Sequence, residues 1–164
     1  MTLVVDHTER LKAIDPEESF IVSAPAGSGK TGLITQRILR LLGTVNHPEE
    51  ILSITFTRKA AAEMAARVHS ALQAAANEPR PENQYEAQTW DFAQKALQQD
   101  QNLNWNLLDM PNRLRIQTID SFCRYIARQF SLETKLGDLS EPSDQPEVHY
   151  QSASRSLPVL LHFR

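Results

Sequence analysis

Eight consecutive residues carry the strongest chemistry in this chain. Ala24, Pro25, Ala26, Gly27, Ser28, Gly29, Lys30 and Thr31 are small or flexible until they end on a cation and a hydroxyl. Phosphate oxygens need several backbone N–H donors converging on one point, and glycine lets the backbone curl that closely. Lys30 supplies a mobile charge for the outer phosphates, and Thr31 supplies a hydroxyl for Mg²⁺. A helix starting at Thr31 directs its positive end at the same anion. The segment fits the P-loop pattern, with Ala24 in place of the usual first glycine. It predicts a phosphate site running from Ala24 through Gly32, with Lys30 and Thr31 as its catalytic residues and Thr31 as its metal contact. A chance match in a chain this long is on the order of one in a hundred from composition. The blander alternative is a glycine-rich turn with an exposed lysine. The loop alone names no machine, because kinases, GTPases and motor ATPases share it.

The elements that position this loop follow from periodicity. Phe20, Ile21 and Val22 form a short apolar run before the loop and predict a buried strand. After it, Ile34, Ile38, Leu41 and Leu42 fall at helical spacing, with Gly43 as the end signal. Asp6 and Glu9 are spaced as a capping box for a short helix ending near Asp15 and Pro16. Residues 51–56 predict a second strand, and residues 58–76 an alanine-rich helix with Ala61, Met64, Val68, Leu72 and Ala75 on one face. Two prolines break residues 77–83, and Tyr85 to Gln99 predicts another helix with Tyr85, Phe92, Ala93 and Ala96 near one stripe. Residues 114–119 alternate like a strand, and Ser121 to Phe130 predicts a helix with Phe122, Tyr125, Ile126 and Phe130 inward. Alternating strands and helices indicate an α/β domain with a mainly parallel sheet flanked by helices.

Composition sets the outer bounds. The chain has 164 residues, enough for one domain with a real core. Its net charge of −3 argues against a uniformly basic nucleic-acid binder, although a local basic face can exist within an acidic total. The single cysteine, Cys123, forms no disulfide framework; it fits a reducing, cytoplasmic setting and is expected to pack in its helix. The N-terminus shows no basic region before an apolar run, and no apolar run is long enough to span a bilayer, so a membrane role is not expected. The five histidines show no metal-ligand spacing.

A second block, Ile54 to Met64, lies where the second strand gives way to the alanine-rich helix. Together with the loop, and with Gln117 to Cys123, it resembles superfamily 1 DNA helicases of the UvrD/Rep type, closest to the RecB/AddA helicase–nuclease branch. The three blocks occur in family order over residues 19–130. The resemblance implies a P-loop NTPase domain of RecA-like fold using ATP and Mg²⁺. It divides the chain into the first part of the motor domain (1–76), a mostly helical insertion (77–113), a return strand and helix carrying a second DNA-contact motif (114–131), and the start of a helical subdomain or a poorly ordered tail (132–164). Trp90 and Trp105 fall in the insertion and are expected to pack there.

The resemblance also implies contacts to single-stranded DNA from Phe56, Thr57, Arg58, Lys59, Thr118 and Ser121. Physically, Thr57 at a strand-to-helix junction can hold a phosphate with its hydroxyl and the following N–H groups. Arg58 and Lys59 flank that spot. For Phe56, stacking on a base and packing in the core stand level. Arg113, Arg115, Arg124 and Arg128 suit a phosphate-tracking groove or, equally, a solvated helix face. Asp120 would repel DNA and receives no DNA role.

Two departures qualify the resemblance. Counting back from Lys30 to the family's adenine-reading glutamine reaches Glu9, with Arg10 next, and a carboxylate cannot reproduce both bonds of an amide. Downstream of Ser121 there is no Asp-Glu pair after an apolar strand to hold Mg²⁺ and activate water, and the arginines of a second motor domain are not present. The expectation is a partial motor with weak nucleotide binding, weak DNA binding and negligible hydrolysis by itself. It would be completed by a second motor domain and by a helicase–nuclease partner subunit. The alternatives are a complete small P-loop kinase or ATPase with Asp120 at its metal, and a non-catalytic remnant that binds a partner.

Overall fold

The structure, a computed structural model, describes residues 7–23, 25, 27–129, 147 and 151. Five helices and two strands are present among them: α1 (His7–Ala13), α2 (Lys30–Leu42), β1 (Leu52–Thr55), α3 (Arg58–Asn77), α4 (Gln84–Leu103), β2 (Arg115–Thr118) and α5 (Ile119–Gln129). Short 3₁₀ turns at Pro48–Glu50 and Pro111–Arg113 lead into the strands. The chain divides into two compact units, Met1–Phe122 and Cys123–Arg164.

In the first unit β1 and β2 pair in parallel, with Leu52 opposite Arg115 and Thr55 opposite Thr118. Parallel pairing needs a long crossover, and α3 and α4 provide it. Helices pack on helices around this small sheet: α4 lies against both α2 and α3, and α3 contacts both strands. The apolar stripe read from sequence in α3 is the one that packs, with Val68 and Leu72 fully buried and Ala61 and Ala75 nearly so. Val68, Leu72 and Ala75 meet Leu39 and Leu42 of α2 and Ala93 and Ala96 of α4 in one core. The small alanines let α4 approach closely.

The ends of α3 and α4 follow from their flanking residues. Thr57 caps α3 by accepting from the Ala60 N–H at 3.1 Å, and Pro79 follows the last turn. Asn83 caps α4 by accepting from Tyr85 N–H (2.9 Å) and Glu86 N–H (3.3 Å). Asn104 ends α4 in the left-handed region at φ 54°. Trp105 is 2 % exposed and donates its indole N–H to Asn46 O at 3.0 Å, while Trp90 donates to Glu78 O at 3.1 Å. Both tryptophans therefore pack, as the sequence predicts. A bidentate ion pair between Arg113 and Glu49 (2.7 and 3.2 Å) ties the approach to β2 onto the approach to β1.

The structure departs from expectation in three places. Phe20, Ile21 and Val22 form no strand, and Ile21 is fully exposed. A strand exists through its ladder with a neighbour, and residues 20–22 pair with neither of the two described strands. Ile34 faces outward at 41 % exposure, while Leu33, Thr35 and Gln36 take the buried side of α2. No residue of α5 is buried: Tyr125 and Ile126 are about two-fifths exposed, and Cys123 is exposed rather than packed. The amphipathic spacing of α5 is real, but no described residue covers its apolar face. Asp6, Phe130 and the segment 132–164 apart from residues 147 and 151 lie outside the described residues, as do Ala24 and Ala26 of the loop.

Candidate functional site

The phosphate loop leads directly into α2, one residue earlier than the sequence suggests, because Lys30 is already helical. Gly27 and Gly29 adopt φ of 79° and 85°, the left-handed region that other residues avoid. Gly29 is the N-cap of α2 and has no side chain with which to cap it. The first-turn N–H groups of α2 therefore lack the partner that Thr57 gives α3 and Asn83 gives α4. No acid stands in the first turn of α2. The helix end is thus positive and uncompensated.

Two cations fold onto this loop. Lys30 Nζ donates to Pro25 O at 2.6 Å, and Arg10 Nη2, from α1, donates to Ser28 O at 2.7 Å. Ser28 Oγ is buried without a hydrogen-bond partner. A buried hydroxyl in that condition is costly and marks a place where an acceptor is expected. Beside the loop is an open cavity of about 510 Å³, bounded by Glu9, Arg10, Phe20, Pro25, Ser28 and Lys30 among others. That size suits a small-molecule ligand. Thr31 is exposed and its backbone O accepts from Thr35 Oγ1 at 2.9 Å. A Cβ on Gly32 would collide with the Tyr85 hydroxyl of α4, so that exposed ring would have to swing aside. The α4 start is further tied to α2 by Gln36, which donates to Thr89 Oγ1 at 2.9 Å. Among the described residues no cluster of His, Cys, Asp and Glu could hold a metal ion.

The second group of predicted residues gathers at the ends of the two strands. Parallel register places Thr55 beside Thr118, so both strands deliver their following residues to the same edge of the sheet. Phe56 is 87 % exposed, which removes the core reading considered above. Thr57 Oγ1 is used as the α3 cap, leaving the hydroxyl proton to donate outward. Arg58 and Lys59 are exposed in the first turn of α3, which holds no acid. Cations are unfavourable at that end of the helix dipole, and no acid of the first turn offsets them. Thr118 is buried and its Oγ1 lies 2.9 Å from Ser121 Oγ, while Ser121 is exposed. Asp120 is exposed in the first turn of α5. Arg113 is committed to Glu49 and to Trp105 O, which makes it a structural arginine.

Sequence reasoning undervalued Arg10 and Tyr85, neither of which lies in a motif. Their signal was indirect, in the two glycines that they approach, Gly29 and Gly32.

The UvrD/REP helicase N-terminal domain family matches residues 6–154. This chain belongs to that family. It is 34 % identical over 133 residues to an ATP-dependent helicase/nuclease subunit of Moorella thermoacetica, covering 79 % of this chain and 8 % of that protein. The protein of the same name from Clostridioides difficile is 35 % identical over 70 % of this chain and 8 % of its own length. That from Desulforamulus reducens is 31 % identical over 85 % of this chain and 10 % of its own length. The chain thus spans a tenth or less of these relatives. No solved structure matches it. No helix among the described residues is long and apolar enough to cross a membrane.

Proposed function

We propose that this chain is the ATP-binding, DNA-contacting N-terminal portion of an ATP-dependent DNA helicase motor, built on a RecA-like P-loop fold. The observation that carries this reading is the start of α2. Its N-terminus has no side-chain cap and is preceded by two left-handed glycines. Lys30 is folded on the loop, and Ser28 Oγ is buried without a partner. The residues Ala24 to Gly32 line a phosphate cradle. In it Lys30 exchanges Pro25 O for the outer phosphates, Ser28 and the first-turn N–H groups hold the inner ones, and Thr31 faces the metal. Mg²⁺, when bound, screens the phosphate charge and holds the outer phosphates in a fixed geometry.

On this reading residues 1–76 are the first part of the motor domain, 77–113 its helical insertion, and 114–131 the return strand and helix. Single-stranded DNA runs along the shared strand-end edge. Thr57, Lys59, Arg58 and Ser121 meet its phosphates there, Phe56 meets a base, and Thr118 orients Ser121. Hydrolysis needs acids to hold the metal and arginines to neutralise the transferring phosphate, and these 164 residues do not supply them. The chain therefore binds nucleotide weakly and turns it over negligibly alone. A second motor domain and a helicase–nuclease partner complete the activity, in the cytoplasm.

Fluorescent ATP analogue titrated with and without Mg²⁺ tests the cradle. Lys30→Ala is expected to weaken binding about 10- to 100-fold, the worth of a charge-assisted contact of roughly 1.5–3 kcal/mol. Equal binding by Lys30→Ala would remove the reading. Turnover near one per second by the pure chain, abolished by Lys30→Ala, would keep the cradle but overturn the expectation of negligible hydrolysis by the chain alone.

A further inference from the structure

We infer that Arg10 is the positioning residue of the phosphate loop, holding it in its anion-receiving shape from outside. The inference rests on the nucleotide reading above and concerns what keeps that site formed. Arg10 Nη2 donates to Ser28 O at 2.7 Å. The tip of the guanidinium also faces Gly29: a Cβ at that position would stand 3.4 Å from Nη1, 3.7 Å from Nη2 and 4.0 Å from Cζ. The two terminal nitrogens are nearest, so the Nη1–Nη2 edge of the group abuts the loop at Gly29 while Nη2 holds Ser28 O.

Arg10 can do this because α1 is itself fastened to the helix that follows the loop. Arg37 of α2 donates to Ala13 O and Asp15 O, each at 2.7 Å, and to Glu18 O at 2.8 Å. These carbonyls belong to the end of α1 and the turn after it. The result is a closed bracket: α2 holds α1 through Arg37, and α1 holds the loop through Arg10. Lys30 also binds a loop carbonyl, Pro25 O, but that bond must break when the ammonium turns to phosphate. Arg10 stands on α1, outside the loop, and its bond to Ser28 O does not compete for the carbonyl that Lys30 holds. Its bond keeps the left-handed turn at Gly29 in place while Lys30 moves.

A base-reading residue and a loop-positioning residue predict different losses. Because Arg10 grips backbone, its removal acts on every ligand that shares the phosphate tail. The full chain is titrated with fluorescent ATP and GTP analogues and, by competition, with inorganic tripolyphosphate. Arg10→Ala is expected to weaken all three by the same factor, about tenfold, the value of one charge-assisted hydrogen bond. Arg10→Lys, which keeps a donor for Ser28 O but loses the two-nitrogen edge at Gly29, should fall between. Thermal melts of each variant accompany the titrations, and Arg10→Lys carries the test if Arg10→Ala does not fold. Loss of ATP affinity with tripolyphosphate unchanged would reassign Arg10 to the base and overturn the inference. Unchanged affinity for all three would overturn it too, as would an Arg10→Lys no better than Arg10→Ala. A wild-type chain that binds none of the three probes would instead sink the nucleotide reading, and this inference with it.

Discussion

Helices α2 and α3 begin alike and are finished differently. Each opens on cations, Lys30 in one and Arg58 and Lys59 in the other, and neither has an acid in its first turn. Each therefore presents a positive end that its own sequence does nothing to neutralise. Yet α3 is capped by Thr57, whose Oγ1 accepts from Ala60 N–H, whereas α2 starts from Gly29 with no side-chain cap. The difference teaches how tightly each end must hold its ligand. At α3 one orphan N–H is already satisfied, so on the proposed reading a DNA phosphate would meet a partly used site. At α2 no side-chain cap takes up an N–H, so the proposed triphosphate would find more of them open.

The comparison is most sharply tested at Gly29. Placing Ala there imposes a left-handed conformation at φ 85° that costs about 1–2 kcal/mol. Its Cβ would meet Arg10 Nη1 at 3.4 Å, a close contact that the arginine can yield to, so the cost lies mainly in the backbone. Gly29→Ala is expected to lower the melting midpoint and to abolish measurable nucleotide binding while leaving DNA affinity nearly unchanged. If nucleotide binding survives, the loop is not pre-shaped and α2 does not differ from α3 in the way described.

The next effect is smaller and falls on the other helix. Thr57→Ala removes a cap and should cost about 1 kcal/mol of stability. It should weaken binding of a short single-stranded oligonucleotide and leave ATP analogue binding as it was. Thr57→Ser, which keeps the oxygen, should restore most of both losses. An alanine variant of unchanged stability would mean that the observed Thr57 bond is not the cap of α3. One with weakened ATP affinity would mean that the two helix ends are not separate sites.

The sequence revealed these two regions unequally. The loop was legible because its chemistry needs a rare order of residue types, and α3 was legible because its stripe is long and unbroken. Burial was harder to read wherever it depended on a partner. Phe20 to Val22 has the composition of an inner strand but no described neighbour to pair with, and α5 has an apolar face that nothing described covers. Phe56 looked equally suited to a core or a ligand, and only its exposure decided between them. Arg10 was invisible as a functional residue because its role depends on the Arg37 tether, which brings it 18 residues forward in sequence to Ser28. No periodicity encodes such a contact.

The smallest expected effect lies at the opposite end of the sheet from the strand-end edge. There Glu49 and Arg113 join the approaches to β1 and β2 in a partly exposed bidentate pair. The hydrogen bond from Arg113 holds the Glu49 carboxyl below its ordinary pKa, and correspondingly raises that of Arg113. A depressed carboxylate pKa contributes stability that is present above the unfolded value and lost as pH falls through the folded one. Glu49→Gln should therefore lower stability by up to about 1 kcal/mol at neutral pH. The gap between variant and wild type should start to close as pH falls below the ordinary carboxylate value and vanish only below the lowered pKa of folded Glu49, where the carboxyl is protonated in both states. Nucleotide and oligonucleotide affinities at neutral pH should stay unchanged, because the pair sets the sheet's register far from the ends that carry ligand. A gap that persists undiminished to pH 3 would show that Glu49 acts through packing rather than charge. A loss of DNA affinity at neutral pH would show that register at the clamped end is transmitted to Thr57 and Ser121 at the open one.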